Sequence, residues 1–144
     1  MLEQLLEKYP DQAKLIFLSF PLRNHRFAKK AAVAAFAAKK QGKFWEYHDR
    51  LFANLDSIND QKFLEIAREV GLDMERFEKD INDLKIVARI NQDIRLGAYL
   101  EVRATPTVFI NGSVSKGRTL EALQADVEQE LRKVKKEVKS QGKG

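Results

Sequence analysis

Residues 104–115 carry the strongest local constraint in this chain. Thr107-Val108-Phe109-Ile110 is a β-prone run, Asn111-Gly112 is the strongest two-residue hairpin turn, and Ser113-Val114-Ser115 can return as its partner. Ala104-Thr105-Pro106 leads into the first strand. Proline at that position removes a backbone donor and sets the entry angle. An X-Pro bond in a tight approach to a strand is a candidate cis bond, and the plainer alternative is a trans proline opening the strand.

The rest of the pattern is mostly helical. Leu2, Leu5, Leu6 and Tyr9 recur at helical spacing until Pro10-Asp11, which reads as the last two turns of a helix. Lys14–Phe20 reads as a strand that is apolar on both faces, Ile16, Leu18 and Phe20 one way and Leu15 and Phe17 the other. Such a strand needs cover on both sides, as in an α/β sheet. From about Phe27 to Leu100 the spacing predicts a series of helices. Asn24 is the expected cap of the first, and Gly42 breaks it. The next carries Phe44, His48, Leu51, Phe52 and Leu55 on one face. Asn59 or Asp60 caps a third, which Gly71 ends, and Asp73 starts a fourth with Phe77 and Ile81. A last one carries Leu84, Val87, Ala88, Ile90, Asn91, Ile94 and Leu96. After the hairpin, Thr119 caps a final helix with Leu120, Leu123, Val127, Leu131, Val134 and Val138 on one stripe.

Composition narrows the function classes. The 144 residues are 44% hydrophobic and 33% charged, with seven glycines and three prolines, which suits one folded domain. The formal charge of +5 arises entirely after Glu130, from Arg132, Lys133, Lys135, Lys136, Lys139 and Lys143 against Glu137. The excess is a basic C-terminal tail over about 131–144, read as a solvated helix end, and no nucleic-acid partner is expected. The alanine-rich run Ala31–Ala38 is too short to span a membrane, and the N-terminus shows no signal peptide in the chain as given. With no cysteine there are no disulfides, thiolate metal sites or cysteine nucleophile.

The remaining candidates favour packing over chemistry. His25 and His48 are the only histidines, neither in a metal motif, so no metal or cofactor is expected. His48 falls on the apolar stripe of its helix and reads as a packed core histidine, and His25 as a turn or helix-start residue. Trp45 with Phe44, Tyr47 and Phe52 reads as core and helix–helix packing. Glu46 and Asp49 lie three apart on the exposed side, with nothing to desolvate either.

Thr105-Pro106-Thr107 followed by Val-Phe-Ile-Asn-Gly resembles the cis-proline loop and hairpin of the thioredoxin superfamily. Gln41-Gly42-Lys43-Phe44-Trp45-Glu46-Tyr47-His48-Asp49-Arg50-Leu51-Phe52 is similar to the helical-insert signature of DsbA-like oxidoreductases. So are Phe20-Pro21-Leu22 and the approach Leu96-Gly97 to Leu100-Glu101-Val102-Arg103-Ala104. The resemblance covers about Leu2 to Leu131. It implies an α/β thioredoxin-like fold, one domain over 1–144, with a helical insertion at about 24–100. It also implies a protein thiol–disulfide oxidoreductase of the periplasm or another extracytoplasmic space. Ala104, Thr105 and Pro106 become the substrate-binding residues, Thr105 offering its backbone N–H and C=O to an extended polypeptide.

One departure governs the chemistry. The family has a first strand and a Cys-x-x-Cys motif at the start of its first helix, and this sequence resembles only the part of the family C-terminal to both. It is therefore expected to be an N-terminally truncated relative that is redox-inactive as given, since exchange needs a thiolate. The alternative is a non-catalytic peptide- or protein-binding module using the same proline edge. In the family's fold the absent strand lies between Lys14–Phe20 and Thr107–Ile110. The expected repairs are direct antiparallel closure of those two strands or pairing between two chains, with the homodimer favoured.

Overall fold

The computed structural model describes residues 1–22 and 24–141, with side chains described as far as Lys136. Lys139 and Val138 have side chains outside that range, and Lys143 lies outside the described residues altogether. The elements in chain order are α1 (Leu2–Lys8), α2 (Ala28–Lys39), α3 (Phe44–Ala53), a 3-10 turn (Leu55–Ser57), α4 (Asp60–Glu69), α5 (Met74–Asp80) and α6 (Leu84–Tyr99). The hairpin β1 (Phe109–Ile110) and β2 (Ser113–Val114) and the helix α7 (Leu120–Gln141) complete them. The chain forms two compact units. One is Met1–Phe17 with Val102–Gly144, and the other is Leu18–Glu101.

The second unit is a helical bundle built around α2. Val33 to Ala38 are all buried, and α2 packs against α3, α4, α5 and α6. A helix apolar around its middle has to be surrounded, and its alanines let neighbours approach closely. The helix ends follow local chemistry. Asn59 Oδ1 accepts the Lys62 N–H at 2.9 Å, Asp73 Oδ1 the Arg76 N–H at 3.0 Å, and Asp83 Oδ1 the Lys85 N–H at 2.9 Å. Gly71, at φ +72°, ends α4 in the left-handed region while Leu72 N–H reaches back to the Ala67 carbonyl at 2.9 Å. Asn24 is not the cap of α2. That helix starts after Phe27, which gives it no side-chain hydrogen bond.

The register of two helices differs from the sequence reading. On α3 the fully buried residue is Tyr47, with Leu51 beside it. His48 is half-buried, and Trp45 (43%) and Phe52 (60%) are exposed. Tyr47 fits the interior because its hydroxyl donates to the Phe63 carbonyl at 2.9 Å, so no polar group is stranded. Burial pushes its phenol above the ordinary value. His48 instead joins the rings of Phe44, Trp45 and Phe52 and bonds Asp49 at 3.1 Å. On α6 the buried face is Ile86, Ile90, Asp93 and Gly97, while Leu84 is 80% exposed.

Asp93 explains why α6 turns this way. Its carboxylate is 3% exposed and accepts the backbone N–H of buried Ser19 at 3.1 Å and Arg89 Nε at 3.1 Å. Four residues on, Gly97 leaves room for the Phe20 ring, since a Cβ there would stand 2.6 Å from it. The segment Leu18–Phe20 is thus laid along α6 by one hydrogen bond and one missing side chain. Lys40 closes the bundle at its other end, reaching Asp80 at 2.5 Å and Asp83 at 3.2 Å. Its bonds to Asp80 and then Asp83 hold the ammonium above its usual pKa. The Lys85 N–H, then Lys40, hold the Asp83 carboxyl below 3.8.

In the first unit α1 packs on α7. Leu5 and Tyr9 meet Leu123 and Val127, Tyr9 donates its hydroxyl to Glu128 at 3.0 Å, and Lys8 bonds Gln124 at 2.9 Å. The expected strand Lys14–Phe20 does not form. The one sheet among the described residues is β1–β2, and no ladder joins residues 14–20 to 107–110, so direct closure is not the repair adopted. A strand exists only beside another strand, and the β1–β2 ladder supplies none for this segment, in which Ile16 is 69% exposed.

Candidate functional site

The hairpin anchors the site. Phe109 pairs with Val114 and Ile110 with Ser113, and the Ser115 N–H donates to the Val108 carbonyl at 2.8 Å. Asn111 (φ +47°) and Gly112 (φ +84°) make the tight turn, the left-handed pair that Asn-Gly supplies most readily. Past β2, the Ser115 hydroxyl donates to Asp126 at 2.5 Å and accepts the Gly117 N–H at 3.0 Å. Thr119 Oγ1 accepts the Ala122 N–H at 3.3 Å, capping α7 as its sequence suggests.

Ahead of β1 the loop Ala104-Thr105-Pro106 is exposed, and its Thr105–Pro106 peptide bond is cis. Two neighbours brace it. Thr107 Oγ1 donates to the Ala104 carbonyl at 2.6 Å, and Arg118 Nη1 reaches the Pro106 carbonyl at 3.4 Å. Both carbonyls that flank Thr105 are therefore held, while the Thr105 N–H and C=O have no partner among the described residues. A fixed loop with one exposed, unengaged donor–acceptor pair offers an extended chain main-chain bonding without demanding a sequence. The structure brings Ala104, Thr105 and Pro106 together as one surface loop. Sequence reasoning misses Thr107 and Arg118 as braces. The signal for Thr107 is present in Thr-Pro-Thr, whereas nothing in the sequence sets Arg118 opposite Pro106.

Among the described residues no group of three His, Asp or Glu side chains could hold a metal ion. His25 is exposed in a turn, its N–H bonded to the Leu22 carbonyl at 3.2 Å. The sequence model of the family described as Thioredoxin matches residues 1–129. This chain belongs to the thioredoxin family.

Solved structures that it resembles include a thioredoxin-like oxidoreductase and a thiol-disulfide exchange protein. A thioredoxin-like oxidoreductase from Silicibacter pomeroyi DSS-3 superposes with a TM-score of 0.76 at 28% identity, covering 92% of this chain and 75% of that one. The thiol-disulfide exchange protein alpha-DsbA2 from Wolbachia pipientis gives 0.74 at 29% identity, covering 89% and 70%. The thioredoxin-like chain is also similar to parts of much longer curated proteins. It is 37% identical over 126 residues to the Na(+)/H(+) antiporter NhaA 3 of Salinispora tropica, covering 86% of this chain and 19% of that protein. With the NhaA 1 antiporter of Mycolicibacterium vanbaalenii it shares 33% over 119 residues, 81% of this chain and again 19% of the other. The chain thus spans about a fifth of the length of the curated relatives it matches. No helix among the described residues is long and apolar enough to cross a membrane.

Proposed function

We propose that these residues form the polypeptide-holding part of a DsbA-like protein thiol–disulfide oxidoreductase that acts on extracytoplasmic proteins. The observation that carries this is the braced loop in which Thr105 presents an unengaged N–H and C=O. An extended segment aligned there would form two main-chain hydrogen bonds, as in strand addition. The second half of the chemistry needs a thiolate to attack a disulfide sulfur, and the sequence holds no cysteine. By themselves these 144 residues therefore bind and do not exchange. That same fact supports the second reading, a non-catalytic module that holds extended polypeptides at the proline edge. Self-association is part of the proposal, since Ile16 stands exposed in a segment that joins no sheet among the described residues.

The test is fluorescence anisotropy with a labelled, unfolded polypeptide whose cysteines are alkylated. Thr107→Val removes the brace on Ala104 with little change of shape and is expected to weaken binding several-fold. Absence of binding by the parent chain, or an unchanged affinity in T107V, would overturn the assignment of the site. Light scattering at micromolar concentration tests self-association, with a dimer expected and a strict monomer refuting it.

A further inference from the structure

Much of the chain's excess charge sits on the last helix, past its packed residues. α7 has 22 residues, about 33 Å at 1.5 Å per residue. Among the described side chains its packed row is Leu120, Leu123, Val127 and Leu131. From Arg132 to Lys136 every residue is exposed, Val134 at 45%. Arg132, Lys135 and Lys136 share one face by helical spacing, while Val134 continues the apolar row one step beyond Leu131. Arg132 lies 3.9 Å from Glu128 and Lys133 2.5 Å from Glu130, but Lys135 and Lys136 have no ion pair among the described residues. The helix dipole does not account for this arrangement. Its field fades within the last turn, and Arg132 and Lys133 stand more than two turns before Gln141.

We infer that the exposed stretch of α7 from Arg132 to Lys136 is a docking surface for anionic lipid headgroups. Arg132, Lys135 and Lys136 meet headgroup phosphates, and Val134 beside them is covered at the boundary with the acyl chains. A nucleic-acid backbone would satisfy the charges but leave Val134 in water. Residues 1–130 also sum to zero charge, so the net positive charge that a phosphate chain would follow is confined to this end of the sequence.

Vesicle co-sedimentation of the 144-residue chain tests this. Vesicles with one phosphatidylglycerol to three phosphatidylcholines should retain it at least tenfold better than pure phosphatidylcholine at about 50 mM NaCl, and about 300 mM NaCl should abolish the difference. Lys135→Gln with Lys136→Gln should lower the affinity about fivefold per lysine, and Val134→Ser should weaken it with charge unchanged. Both variants sit on an exposed helix end, and far-UV circular dichroism confirms their fold. The salt arm on the parent chain stands whatever the variants do. Equal binding to both vesicle types, binding indifferent to salt, or duplex DNA bound at least as tightly as the anionic vesicles would each overturn the inference.

Discussion

Removing the Asp93 carboxylate should be among the most damaging single changes in the helical unit. The buried Ser19 N–H has Asp93 Oδ2 as its partner at 3.1 Å. In Asp93→Ala that donor is orphaned, which costs about 1–3 kcal/mol, and a hydrogen bond to a charged acceptor is lost as well. Arg89 adds little. Its side chain is about half exposed, and an i, i+4 ion pair of that kind is worth about 0.3–0.5 kcal/mol. The expected total is about 3 kcal/mol, a large share of a stability on the order of 5–15 kcal/mol. Asp93→Asn keeps an oxygen for Ser19 and should cost about 1 kcal/mol. In urea, with a slope of roughly 2 kcal/mol per molar, D93A should lower the midpoint by about 1.5 M and D93N by about 0.5 M. Arg89→Ala should move it less than either. If D93A and D93N shift it equally, or R89A matches D93A, the backbone bond to Ser19 is not what Asp93 supplies.

Tyr47→Phe removes the hydroxyl from Phe63 and should cost about 1 kcal/mol, read as a fall of roughly 3 °C in melting temperature; no change would mean the bond at 2.9 Å adds nothing. Asn59→Ala should cost about 1 kcal/mol as a lost cap, against a few tenths for Asn59→Gly. Asp83, held below 3.8, contributes stability that is present above its unfolded pKa and lost as pH falls through the lowered folded value. The gap in urea midpoint between parent and Asp83→Asn should therefore be full at about pH 6 and shrink toward about pH 3; a constant gap would contradict the sign. Purified chain should neither reduce insulin nor oxidise a dithiol peptide above buffer, and turnover by contaminant-free protein would sink the claim.

The features legible in the sequence are mostly local. A cap at Asn59 or Asp60, a helix start at Asp73, Gly71 as a stop and Asn111-Gly112 as a turn are decided within a few residues, and the structure places them so, with Asn59 the cap of the first pair. The family assignment is legible for a related reason, because the Gly-Lys-Phe-Trp-Glu and Thr-Pro-Thr segments hold their order and spacing. Features that depend on distant partners are not legible. Helical spacing alone cannot tell Tyr47 from His48 as the inward residue on α3, since the choice rests on a carbonyl sixteen residues away. Nothing near Asp93 in the sequence marks it as a buried acid, because its partner amide lies 74 positions upstream. Lys14–Phe20 has a strand's composition, yet composition cannot supply the neighbour a strand requires.

The central claim is that the Thr105–Pro106 loop holds extended polypeptide through its backbone. Amide-resolved NMR during titration with an unfolded, cysteine-free polypeptide tests it most directly. The Thr105 amide is expected to move first and furthest, with Thr107 and Arg118 moving after it and Leu18–Glu101 little affected. Shifts confined to Leu18–Glu101, or none at Thr105 at saturating polypeptide, would contradict the claim.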